Sequence, residues 1–250
     1  MSIRMSRSIR LVFLGWYTVG LALMLSVGVP DSLGFANGIF LLLYAIYAVE
    51  LYGRAAMDER KLWARVIAVG VITFFVEWIG VRTSWPFGDY SYTPLLGWAL
   101  DGVPIAIACA WVGVLLNGIL LSDGHSRWKR ALHTGLWTVL IDLVLDPVAF
   151  VREMWIWTDH EGVVAYLGVP INNFISWFLL SALLSLVFPL VKHPRLVRRE
   201  AARLMQLILL MFGVLGIKDG LIIPLAIALI GAAVAEGVAR IDTSTKKLTI

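Results

Sequence analysis

The chain alternates long apolar runs with short polar, mostly basic stretches. Eight runs stand out, at about 11–29, 34–52, 62–81, 102–121, 131–150, 170–191, 200–216 and 221–239. Each is close to the ~20 residues a helix needs to cross a bilayer. In lipid, such a run must satisfy its backbone within itself, which selects the helix. The pattern predicts an all-α, polytopic transmembrane helical bundle forming a single domain over 1–250. Only Ile217, Lys218, Asp219 and Gly220 separate the last two runs, which predicts a tight terminal hairpin over 200–239. Seven spans, with one of these two runs re-entrant, is the alternative count.

Composition agrees: 60% of residues are apolar, 15% are charged, and the mean hydropathy is +0.84. Water-soluble domains do not have this balance. The basic residues set an orientation. Arg4, Arg7, Arg10, Arg54, Arg60, Lys61, Arg65, Arg127, Lys129, Arg130, Lys192, Arg195, Arg198, Arg199, Arg203, Arg240, Lys246 and Lys247 fall on one side. The other side holds only Arg82, Arg152 and Lys218. The positive-inside rule then makes both termini cytoplasmic and the span count even, in a multi-pass cell-membrane protein. The net charge of +4 follows from this topology and calls for no nucleic-acid partner; the partner is the lipid bilayer. The run after Arg10 lacks a small-residue cleavage site, so it reads as the first span and not as a signal peptide. The single cysteine, Cys109, has no thiol partner for a disulfide or metal site and reads as packing.

Depth then sorts the acids. Glu50 and Glu236 lie one turn before Arg54 and Arg240 at the basic side, where i,i+4 pairs are a cheap structural solution. The others share the opposite depth. Glu77 closes the third run, Asp142 and Asp146 lie in the outer half of the fifth, Asp101 opens the fourth, and Asn172 and Asn173 open the sixth. An isolated charge inside a span costs about 2.5–3.5 kcal/mol, so these groups are expected to face inward and meet in one site on the non-cytoplasmic side. Between Glu77 and Pro104 the connection is long and aromatic. Trp85, Phe87, Tyr90 and Tyr92 stand beside Arg82 and Asp89. An interfacial aromatic belt is the plain alternative for these rings.

Asp142 and Asp146 sit four apart, on one helical face, and Pro147 frees the carbonyl of Leu143. Two carboxyls in a poorly hydrated site do not both ionise easily, so one is expected to keep its proton and serve as a general acid. A weak repeat is also visible. Val103-Pro104-Ile105 precedes Trp111 at the spacing with which Val169-Pro170-Ile171 precedes Trp177. Hairpins 62–121 and 131–191 are then two copies without inversion, each proline opening a helix aimed at the acids; chance in an apolar sequence is the other reading. His125, His133, His160 and His193 form no ligand cluster, no lysine lies mid-span, and no glycine-rich phosphate loop is present. The expectation is a site of carboxyls, amides, one arginine and aromatics, with no metal and no cofactor.

Glu77 followed by Pro86-Phe87-Gly88-Asp89-Tyr90-Ser91-Tyr92, Leu96-Gly97 and Val103-Pro104-Ile105 with Trp111 form one set of residues. Leu145-Asp146-Pro147-Val148-Ala149, Trp155, Trp157, Gly168-Val169-Pro170, Asn173-Phe174 and Trp177 form a second. Together they resemble the carotenoid-biosynthesis membrane proteins that include bisanhydrobacterioruberin hydratases and carotenoid 1,2-hydratases. The resemblance covers roughly 70–185; glycines are usual in that pattern where this chain has Ser84 and Ser176. It implies addition of water to the terminal isoprene double bond of an acyclic carotenoid, a long polyene substrate. Asp142 or Asp146 would protonate the double bond. Trp85, Tyr90, Tyr92, Trp111 and Trp177 would stabilise the tertiary cation, and Phe87 would bind the substrate beside them. Glu77 or Asp89 would activate water, Asn172 and Asn173 would hold it, and Arg82 would keep one carboxylate charged. Three other readings stay open: a proton-coupled transporter or lipid flippase, a carotenoid end-group cyclase, and an assembly partner of other carotenoid-biosynthesis enzymes.

Overall fold

The computed structural model describes residues 3–30, 33–54, 58–122, 126–158 and 162–240, with side chains from Ser8 onward. The side chains of Arg4 and Arg7, and residues His125, His160, Lys246 and Lys247, lie outside that set. Eight α-helices run through the described residues. They are α1 (Ile3–Leu25), α2 (Phe35–Gly53), α3 (Glu59–Thr83), α4 (Ile105–Leu121), α5 (Arg127–Val151), α6 (Ile171–Ser185), α7 (Arg195–Lys218) and α8 (Ile222–Arg240). Six are long and apolar enough to cross a membrane; α4 and α6, with 17 and 15 residues, are shorter apolar helices. The chain is thus a helical membrane bundle. Six short strands lie in its connections: β1 (Tyr90–Tyr92), β2 (Ala99–Leu100), β3 (Val103–Pro104), β4 (Trp155–Trp157), β5 (Ala165–Tyr166) and β6 (Val169–Pro170).

Local chemistry sets the helix ends. The Asp58 carboxylate accepts from the Lys61 amide at 3.1 Å and opens α3. Pro104 and Pro170 cap α4 and α6 in extended conformation, one residue before the first turn. Ser84 closes α3 at φ 60°, a left-handed position best suited to glycine, which explains the residue usual there in the resembling pattern. Two helices stop short of their apolar runs. Helix α1 ends at Leu25, where Gly28 at φ 84° donates its amide to the Leu23 carbonyl at 2.8 Å and the Lys218 ammonium takes the carbonyls of Met24 and Leu25 at 2.8 and 3.0 Å. Helix α6 ends at Ser185 because the buried Arg130 guanidinium takes the carbonyls of Ser185, Phe188 and Pro189 at 2.7–2.8 Å. Each cation satisfies carbonyls that a helix end leaves unpaired.

Small residues let the central helices approach closely. A Cβ on Gly113 would fall 2.5 Å from the Tyr44 ring, tying α4 to α2, and one on Gly135 would fall 2.7 Å from Phe178, tying α5 to α6. Gly213 meets Ala228 between α7 and α8 in the same way. Helix α1 lies at the edge, chiefly on α2 and α7. The expected i,i+4 pairs are present: Glu50 with Arg54 at 2.9 Å and Glu236 with Arg240 at 2.7 Å. At the far end, β1 pairs antiparallel with β4, matching Tyr90 to Trp157 and Tyr92 to Trp155. Strands β2–β3 and β5–β6 are hairpins that feed α4 and α6. Their turns, Asp101-Gly102 and Leu167-Gly168, have two positive φ angles each, the type I′ pattern.

Candidate active site

Residues from α3, β1, α5, β4 and α6 converge on one cavity of about 440 Å³. Glu77, Phe87, Tyr90, Tyr92, Asp142, Asp146, Trp155, Trp157, Asn173 and Trp177 line one end. The other end is lined by apolar side chains of α1, α2 and α7.

Strand geometry aims the ring donors. Residues two apart on a strand point the same way. Tyr90 and Tyr92 therefore both reach Glu77 Oε2, donating at 2.5 and 2.8 Å. The Trp111 indole of α4 donates to Glu77 Oε1 at 2.8 Å. Gly80 makes the approach possible, since a Cβ there would lie 2.8 Å from the Tyr90 hydroxyl. Trp155 and Trp157 repeat the arrangement on Asp146 Oδ1, donating at 2.5 and 3.4 Å. The Asn173 amide bridges the two aspartates, donating to Asp146 Oδ2 at 2.6 Å and Asp142 Oδ2 at 2.9 Å. All three carboxyl residues are 2% exposed. Burial, with the Glu77 charge second, pushes the Tyr90 and Tyr92 phenols up, so both remain protonated donors. The Trp111 and Trp177 rings stack at 3.8 Å and 14°, and Tyr90 lies 4.9 Å from Trp157. Among the described residues no group of three His, Cys, Asp or Glu is arranged to hold a metal ion.

Four residues expected at the site sit elsewhere, and a fifth, Trp111, is fully buried behind Glu77 and does not line the cavity. Arg82 pairs with Asp101 and lies over the Trp78 ring at 4.1 Å, on the exposed surface. An exposed partner satisfied its charge without any need to reach the buried acids. Trp85 is 70% exposed, having turned outward just past the end of α3. Asp89 does not line the cavity; it precedes β1, and its carbonyl accepts from the Thr158 amide at 2.9 Å. Asn172 is exposed because one residue on a helix is about 100° of rotation, so only Asn173 of the pair faces inward. Trp155 and Trp157 are additional partners of Asp146. Their spacing mirrors that of Tyr90 and Tyr92, which was the available signal.

A family model described as carotenoid biosynthesis protein matches residues 37–235. The chain belongs to this carotenoid-biosynthesis family. The match spans α2 to most of α8 and so includes every carboxyl at the cavity; α1 lies before it. Bisanhydrobacterioruberin hydratase of Haloarcula japonica is 30% identical over 169 residues, 64% of this chain. The aligned part is 56% of that relative's length. No solved structure matches the chain.

Proposed function

We propose that this carotenoid-biosynthesis protein adds water to the terminal isoprene double bond of an acyclic carotenoid end. One observation carries the reading: three carboxyls with unequal hydrogen bonding face a cavity lined mostly by apolar and aromatic side chains. The carboxyls of Glu77 and Asp146 each accept three hydrogen bonds, and Asp142 accepts one, from Asn173. Hydrogen bonds to a carboxylate favour its charged form, so the proton resides on Asp142. The similarity to a hydratase supports the same reaction class.

Asp142 is then the general acid. Its proton joins the less substituted carbon, the π electrons form the new C–H bond, and the neighbouring carbon becomes a tertiary cation. The faces of Trp177 and Tyr90 attract that cation. Water held against Glu77 attacks it through an oxygen lone pair and passes a proton to Glu77. The product is a tertiary alcohol. Asp142 is left ionised and Glu77 protonated, and return of that proton through cavity water restores the start. Asn173 positions the two aspartates. Every step is proton transfer or water capture, so the chemistry calls for neither a redox group nor a metal.

The topology of eight spans, both termini cytoplasmic and the cavity's polar end toward the non-cytoplasmic face, belongs to the same proposal. The Lys/Arg distribution supports it. So does the reading of 62–121 and 131–191 as two copies within one domain, given their matching type I′ hairpins and proline-capped helices.

Expression in a host that accumulates an acyclic carotenoid tests the function. A pigment heavier by one water per reacted end is expected by chromatography and mass spectrometry. An isomer of unchanged mass would identify a cyclase. Unchanged pigment, with the chain present in the membrane, would leave the transporter and assembly readings.

A further inference from the structure

The cavity that holds the carboxyls continues to α1. There it is walled by Trp16, Gly20 and Leu23, with Phe40 of α2 and Met211 of α7 beside them. Trp16, Gly20 and Leu23 lie at i, i+4 and i+7, one face of the helix. Gly20 differs from the packing glycines of the bundle. A Cβ on Gly113, Gly135 or Gly231 would strike a neighbour at 2.5–2.9 Å, whereas one on Gly20 would meet nothing within 4 Å. Gly20 therefore does not serve close helix contact; it leaves open space in the cavity wall. That wall is one helix thick, and α1 is exposed away from the cavity at Leu11 and Val12.

Size supplies the second constraint. A cavity of 440 Å³ lies in the range that encloses small molecules, about 300–1,000 Å³. A carotenoid polyene is comparable in length to the ~30 Å hydrocarbon core. Only its end fits inside, and the remainder has to leave through a wall that faces lipid.

We propose that the groove across α1 at Gly20 binds the polyene trailing from the reacting end, and that the substrate enters there end-first from the bilayer. This rests on the hydratase reading and adds a subsite to it. Long acyclic polyenes engage the groove; a short acyclic isoprenoid with the same terminal double bond fits within the cavity and does not.

The test compares Gly20→Phe with wild type in membranes on a long acyclic polyene and on a short isoprenoid of the same end group. Gly237→Phe is the control, since Gly237 on α8 also faces open space but does not line the cavity. Gly20→Phe is expected to raise KM for the long substrate by roughly tenfold or more, the scale of overpacking a fitted site. Turnover of the short substrate, which reports the fold, stays within about twofold, below the scale of such overpacking. Equal effects on both substrates, or none on either, overturn the groove. If wild type hydrates neither, the hydratase reading fails. The groove is then judged by polyene binding in nanodiscs, read from quenching of tryptophan emission. Weaker binding to Gly20→Phe supports it, and equal binding overturns it.

Discussion

Glu77 near the end of α3 and Asp146 near the end of α5 occupy similar places in two similarly built halves of the bundle. Each accepts from two rings spaced two apart on the strand that follows: Tyr90 and Tyr92 for Glu77, Trp155 and Trp157 for Asp146. The strands pair with each other, and Trp111 of one half stacks on Trp177 of the other. The difference lies in the donors. A phenol both donates and accepts and can exchange its proton, whereas an indole only donates. Under the proposed mechanism the Glu77 side passes protons to and from the cavity, while Asp146 is anchored. The second half adds Asp142 one turn away, its carboxyl joined to that of Asp146 through the Asn173 amide. In the proposed mechanism, two similar frames thus hold different chemistry, a proton acceptor in one and a proton donor in the other.

Asp142→Asn removes the donor and should produce the largest loss, on the order of 10²–10⁴-fold in hydration rate, as for other general acids. Pigment analysis of isolated membranes measures it, and a rate within tenfold of wild type would break the assignment. Glu77→Gln comes next. Hydration should fall by about 10²-fold. The bundle should also lose about 1–3 kcal/mol in thermal unfolding, because Tyr90, Tyr92 and Trp111 then share an amide that can accept through only one atom. Expressed protein of unchanged stability would show that these donors do not depend on the carboxylate.

A matched pair of changes separates the two frames most directly. Tyr92→Phe should slow turnover by roughly tenfold with KM nearly constant, since it removes an exchangeable proton but little volume. Trp155→Phe should leave turnover nearly intact and cost about 1 kcal/mol of stability, through one lost hydrogen bond. Comparable kinetics from both variants would erase the distinction between the frames. The smallest effect concerns the turns. Leu167 holds φ 49° where the first half has Asp101, and a bulky residue is strained there. Leu167→Asn creates the Asn-Gly pair that type I′ turns favour and should stabilise by about 0.5–1 kcal/mol. A lower melting temperature would mean that the leucine side chain contributes more by packing than its backbone costs.

Length and polarity are linear properties of a chain. The helices follow the apolar runs to within a few residues at most ends, because a membrane helix needs only enough consecutive apolar positions. Depth is linear too. Glu77, Asp142, Asp146 and Asn173, which share a depth by position along their runs, line one cavity. The end of α6 was not legible, since Arg130 reaches it from a distant part of the chain.

Direction around the axis was the other missing quantity. Depth alone does not distinguish Asn172 from Asn173, and only packing turns one to the cavity and the other to solvent. The register of β1 against β4 was equally hidden, because two three-residue segments separated by two helices carry no pairing signal of their own. Spacing and hydropathy along the chain already show which groups reach the same height in the bundle. Tertiary structure decided which of them touch, because contact depends on helix rotation and strand register, and both are set by close packing at residues far away in the chain.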